Sequence, residues 1–99
     1  MSEKTIKITS TMPPVVEFDS SVRAAYVRFS DKKVARTEPV ETKESIVTID
    51  FDSEDEVVGV ELIGVKEFSI TSLLKESRIS APQNIIDRTQ YLPAASPVA

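Results

Sequence analysis

Residues 15–63 repeat one pattern, in which short runs of alternating apolar and polar residues are separated by polar turns. Alternation with a period of two places every second side chain on the same face of an extended strand. In the clearest run, Val47, Ile49 and Phe51 share one face. The pattern therefore predicts an antiparallel meander, with the strongly apolar run Val57–Ile63 near its centre.

After Gly64 the period of the apolar residues changes to that of a helix. Phe68, Leu73 and Leu74 suit one side of a short helix, for which Ser69 and Thr71 are the two candidate N-caps. We therefore expect an α+β fold, a small antiparallel β-meander of about five strands with a C-terminal helix packed on one face. The pattern favours a single domain over residues 1–77 and a C-terminal extension over 78–99 that is partly helical or mobile.

The absent residue types exclude many chemistries, since the chain has no cysteine and no histidine. A thiol nucleophile, a disulfide, a Cys/His zinc site and a Ser-His-Asp triad are therefore impossible. Two glycines leave no room for a glycine-rich phosphate loop. We expect a protein that is not an enzyme and needs no cofactor. Without a signal peptide or an apolar run of about 20 residues, we also expect it to be cytoplasmic and not membrane-bound.

The net charge of −4 is accompanied by a concentration of acidic residues between Asp50 and Glu61. Such a face would repel nucleic-acid phosphates, but it would steer a basic partner protein toward itself. Asp50, Asp52 and Glu61 form a candidate acidic site, because hard cations such as Ca²⁺ prefer carboxylate oxygens. The spacing begins like a calcium-binding loop, although Asp55 occupies the place of its glycine. Asp50 and Glu61 are also candidates to share a proton. The alternative is a set of solvated carboxylates.

An apolar series in the C-terminal part of the chain has two interpretations. It can pack on the sheet of its own chain, or it can form the surface for a second copy or a partner. A small sheet with one helix leaves an apolar face that is difficult to cover, so we expect a homodimer. The candidate interaction residues are Leu73, Leu74, Ile79, Ile85 and Ile86.

Several short blocks together resemble a known family. They cover residues 18–19, 24–30, 33–37, 49–52 and 57–62. The blocks are similar to those of the uncharacterised bacterial "domain of unknown function" family numbered 2283. The chain departs from the family pattern at three positions. Arg23 stands where an acidic residue is common, Ala25 where a larger aliphatic residue is common, and Asp55 where a turn glycine is common, which suggests a different third turn.

The resemblance implies a small β-rich domain without an established activity, and it carries no site residues with it. Some family members look like the neutralising partner of toxin–antitoxin pairs. We therefore expect a small soluble domain that acts as a non-enzymatic protein-interaction module, in one form antitoxin-like. The alternative is a small-ligand or divalent-cation-binding domain that uses the acidic face.

Overall fold

A computed structural model of the chain describes residues 6–8, 12–19, 21, 23–40, 46–64 and 69–93. Their elements follow one another as β1 (Ile6–Lys7), β2 (Val15–Asp19), β3 (Ala24–Arg28), β4 (Arg36–Val40), β5 (Ile46–Phe51), β6 (Val57–Ile63), α1 (Ile70–Ser77), β7 (Ile79–Ser80), α2 (Gln83–Ile86) and β8 (Gln90–Pro93). The described part of the fold is therefore mostly β, with two short helices.

Six of the strands form one sheet in the order β4-β5-β6-β3-β2-β8. Every neighbouring pair is antiparallel except β2 and β8, which run parallel. Because β3 lies beside β6 and not beside β4, strands β3 to β6 have the arrangement of a Greek key. The predicted meander is therefore wrong in strand order, although the predicted antiparallel hairpins from β4 to β6 are present.

The connection from β3 to β4 passes the end of the β5–β6 hairpin. Its backbone is held there, because the amides of Phe29 and Ser30 donate to Val58 O and the amide of Ala35 donates to Phe51 O. These bonds satisfy the polar groups of a loop that has to cross two strands. The crossing leaves β6, the most apolar strand, between β5 and β3 near the middle of the sheet.

The alternation seen in the sequence assigns one face of the sheet to the core. We call this the inner face. Val27, Ile49 and Val60 lie on it in direct register across β3, β6 and β5, and all three are buried. The same core cluster contains Leu73 and Leu74 of α1 and further apolar residues, namely Ile8, Val16, Phe29, Val47, Phe51, Val57, Leu62, Ile70 and Ile79.

Helix α1 begins at one of the two predicted N-caps, because the Ser69 hydroxyl accepts a bond from the amide of Ser72. It ends at Arg78, whose φ of 59° is left-handed. The next residues form β7, which pairs parallel with β1 in a two-stranded sheet, and then α2 and β8.

Residues 78–93 therefore belong to the fold, because β8 extends the main sheet beside β2. The predicted C-terminal extension is in this respect an integral part of the structure; residues 94–99 lie outside the described residues. Within the described ranges, no helix combines the length and the apolar composition needed to cross a membrane.

Candidate functional site

The second face of the sheet, opposite the core, is a mixed polar surface that we call the outer face. Only Gly59 among its strand residues is buried, so no other layer of the described chain covers it. Register and alternation place on it Thr37, Pro39, Ile46, Thr48, Asp50, Gly59, Glu61, Ile63, Ala24, Tyr26, Arg28, Val15, Glu17, Asp19, Gln90 and Leu92.

Tyr26 and Asp50 are joined across the centre of this face. The Tyr26 hydroxyl donates to Asp50 Oδ2 at 2.9 Å, and the Thr37 hydroxyl donates to Asp50 Oδ1 at 2.5 Å. Between Tyr26 and Asp50 lies β6, where Gly59 is directly opposite Asp50. The phenol ring crosses over Gly59, since a Cβ added there would lie 2.8 Å from Tyr26 Cε2 and closer still to Cζ and Oη. A glycine at this position is therefore what lets the bond form.

The environment of Tyr26 keeps its phenol protonated. Burial raises the pKa of Tyr26 well above its ordinary value, and the hydrogen bond to Asp50 raises this pKa further. The guanidinium of Arg28, which lies 5.5 Å from the ring centroid, lowers the pKa but does not outweigh these effects. Tyr26 is therefore a hydrogen-bond donor of the sheet and is not suited to act as a base near neutral pH.

The Asp52 side chain stabilises the turn between β5 and β6. Its Oδ1 accepts bonds from the amides of Glu54 at 2.8 Å and Glu56 at 3.0 Å. The pKa of the Asp52 carboxyl lies below its ordinary value, chiefly because of the amide of Glu56; burial opposes this effect, while the amide of Glu54 and Lys32 add to it. Among the described residues Oδ2 has no hydrogen-bond partner, and it lies 3.8 Å from Lys32 Nζ. Asp52 thus connects the turn to the loop that crosses it.

The fold separates Asp52 from the other two predicted acidic site residues, because Asp52 faces the amides of its own turn. Asp50 and Glu61 are diagonal neighbours on the outer face, since Glu61 is directly opposite Thr48. Asp50 accepts hydrogen bonds from Tyr26 and Thr37, and the proton shared with Glu61 stays a prediction. No group of three or more acidic residues within the described ranges is arranged to hold a metal ion.

The apolar C-terminal residues pack inside their own chain. Leu73, Leu74, Ile79 and Ile85 are all buried, and Ile86 is half-buried against the core cluster. Of the two interpretations of this series, packing on the core of the same chain agrees with the structure. These residues do not form an exposed surface for a partner. Leu73, Leu74 and Ile79 belong to the same core cluster as the inner-face residues of the sheet.

Five large apolar or aromatic residues of the described chain are exposed, namely Val34, Ile46, Ile63, Tyr91 and Leu92. Ile46 is 62% exposed and Ile63 is 36% exposed, and the two are directly opposite one another on β5 and β6. The sequence analysis missed this pair. The signal was available, because Ile46 is out of phase with Val47 and Ile49 and therefore points to the outer face.

Comparison with known proteins identifies the family of the chain. The profile of a protein family of unknown function, DUF2283, matches residues 16–66, just over half of the chain. The chain belongs to the DUF2283 family. The predicted resemblance is thereby confirmed. The match spans nearly all of β2 and the whole of β3 to β6. No curated protein and no solved structure shows significant similarity to the chain.

In this DUF2283 protein, Asp55 lies in the turn between β5 and β6. Its φ is 65°, in the left-handed region that glycine adopts without strain. The backbone at this position thus has a conformation that glycine favours. The Asp55 carboxylate pairs with Arg36, whose guanidinium also pairs with Glu38 and lies 4.4 Å from the centroid of the Phe51 ring. Asp55 thereby helps to hold a charged group over the core at the edge strand β4, which blunts that edge.

Proposed function

We propose that this DUF2283 protein is a non-enzymatic protein-interaction module that binds its partner through the outer face of the sheet. The observation that carries the proposal is that this face is uncovered in the described chain while it presents Ile46 and Ile63 side by side. Antiparallel sheets can leave one face in water, but that face is then usually polar. Two adjacent exposed isoleucines on it favour a contact surface.

The surroundings of the isoleucine pair resemble the anatomy of an interface. Ala24 is directly opposite Ile63, so an apolar row runs across β3, β6 and β5 at one end of the face. The next row contains Tyr26 and Glu61, which are polar or charged. Apolar residues bordered by polar ones are common in protein–protein contacts.

The side chains that would be needed for acid–base chemistry have structural roles on this face. Tyr26 remains protonated, Asp50 accepts two hydrogen bonds, and Asp52 binds the amides of its turn. This supports a binding role over an enzymatic one. The alternative of a cation-binding domain that uses Asp50, Asp52 and Glu61 has no supporting geometry. An antitoxin-like role is a narrower form of the proposal that rests on the family resemblance.

Site-specific photo-crosslinking in the native host tests the proposal. A photoreactive amino acid is placed at Ile46, and a matched control is placed at Lys75, which is exposed on α1. We expect one predominant crosslinked protein from position 46 and none of it from position 75. A crosslink to a second copy of this chain would identify the partner as itself. The same products from both positions, or none from position 46, would contradict the proposal.

A further inference from the structure

The outer face carries most of the net charge of the protein. Its strands contribute four carboxylates and one guanidinium, so the face has a net charge of −3 in a chain whose total is −4. Two copies of such a face would repel each other, and the face would also repel the phosphates of a nucleic acid. The carboxylates belong to Glu17, Asp19, Asp50 and Glu61, and the guanidinium belongs to Arg28.

Two of these carboxylates are available to a partner. Asp19 accepts bonds from the amide and hydroxyl of Ser21, and Asp50 accepts bonds from the two hydroxyls described above. Glu17 and Glu61 are exposed, and the salt bridges within the described residues involve neither of them. Both are directly opposite Tyr26, one on each side of it. They are therefore about 10 Å apart, which is two strand spacings.

The dimensions of the face decide what kind of partner it fits. Six strands about 4.8 Å wide and three rows of side chains about 6.7 Å deep give roughly 29 Å by 20 Å. That area, roughly 600 Å², is below the roughly 800 Å² that each partner contributes to a standard interface. An extended segment of about eight residues spans roughly 24 Å. The size thus favours a single extended segment over a second globular surface.

We propose that the outer face binds an extended basic segment of a partner protein. Lysine or arginine side chains of the segment pair with Glu17 and Glu61, and its apolar side chains contact Ile46 and Ile63. This inference rests on the proposed function and names the partner's chemistry. The small area means weak binding, so the attraction of the charged face is needed for both the rate and the stability of the encounter.

The test is a titration of the full isotope-labelled chain, followed by nuclear magnetic resonance at low salt. The probe is a peptide of about ten residues that alternates arginine and valine, and the control peptide alternates glutamate and valine. Two double variants are compared, Glu17→Gln/Glu61→Gln on the face and Asp31→Asn/Asp87→Asn away from it. Both change the net charge from −4 to −2, so bulk charge is matched. A further variant, Ile46→Ser/Ile63→Ser, leaves the charge unchanged.

We expect the basic peptide to perturb residues of β3, β5 and β6, and the acidic peptide to perturb none. The face variant should weaken binding about tenfold, the matched control less than about twofold, and the serine variant several-fold. Equal weakening by both charge variants would show attraction to bulk charge and overturn the inference. Failure of the basic peptide to bind would also overturn it. In either case the proposed function would still stand or fall on the crosslinking from position 46.

Discussion

Gly59 is the position at which a single methyl group should have the largest effect on the outer face. Replacement by alanine places a Cβ within 2.8 Å of Tyr26 Cε2 and closer still to the phenol oxygen. The ring must move, and the bond from its hydroxyl to Asp50 Oδ2 is lost. The backbone of Gly59 itself is not among the positive-φ residues, so the substitution acts through Tyr26 and not through backbone strain.

The magnitude follows from three contributions. Loss of a hydrogen bond to a charged group costs about 1.5–3 kcal/mol. Partial exposure of a half-buried aromatic ring costs about 1 kcal/mol more. Alanine regains about 0.5–1 kcal/mol, because glycine loses more conformational freedom in a strand. We therefore expect Gly59→Ala to lower the free energy of unfolding by about 1.5–3.5 kcal/mol.

A double-mutant cycle separates this mechanism from a general effect of the methyl group. In a Tyr26→Thr background the ring is absent, so Gly59→Ala should be neutral or stabilising by up to about 1 kcal/mol. The free energies of unfolding are measured by urea denaturation followed by far-ultraviolet circular dichroism. If Gly59→Ala costs the same in both backgrounds, the reasoning is refuted.

Titration of the phenol gives a second measurement of the same contact. In a Tyr91→Phe background, Tyr26 is the only tyrosine that contributes to tyrosinate absorbance. Because the raised pKa depends partly on the bond to Asp50, Gly59→Ala should shift the titration to lower pH. Since the folded-state pKa lies above the unfolded-state value of about 10, the stability that Tyr26 contributes should be lost as the pH rises above that value. An unchanged titration would mean that the ring had not moved.

Four further outcomes are expected. Asp52→Ala should lower the melting temperature by roughly 5 °C or more and Asp52→Asn by less, because asparagine can still accept the bonds from the amides of Glu54 and Glu56. Because the folded-state pKa of Asp52 is depressed, its charge stabilises the fold above about pH 4, and this stabilisation is lost as the pH falls through the folded-state pKa. The urea midpoints of wild type and Asp52→Asn should therefore differ above about pH 4 and converge below the folded-state pKa. Arg78→Gly should raise the free energy of unfolding by about 0.5 kcal/mol, because the residue that ends α1 has a φ of 59°, and a decrease would mean that contacts of the arginine outweigh the strain. The homodimer expected from the sequence is checked by light scattering at high protein concentration, where a monomer mass would end that expectation.

The sequence was sufficient wherever the answer depends on neighbouring residues. The period of two assigned Val47 and Ile49 to the core, and Ser69 was one of two candidates for the N-cap of α1. The blocks around Tyr26 and Asp50 were enough to recognise the family that the profile confirms. These features are set by local backbone geometry, so they can be read without knowledge of the remaining chain.

The tertiary structure decided everything that depends on which strand lies beside which. The order of the sheet, the parallel pairing of β8 with β2 and the diagonal placement of Asp50 and Glu61 all follow from long-range pairing. An apolar pattern such as that of Leu73 and Leu74 shows that a side chain needs cover, but not which surface supplies it. Which surface covers an apolar side chain depends on how the whole chain buries its apolar residues at once. Only the tertiary structure therefore shows that Ile46 and Ile63 are exposed on an acidic face.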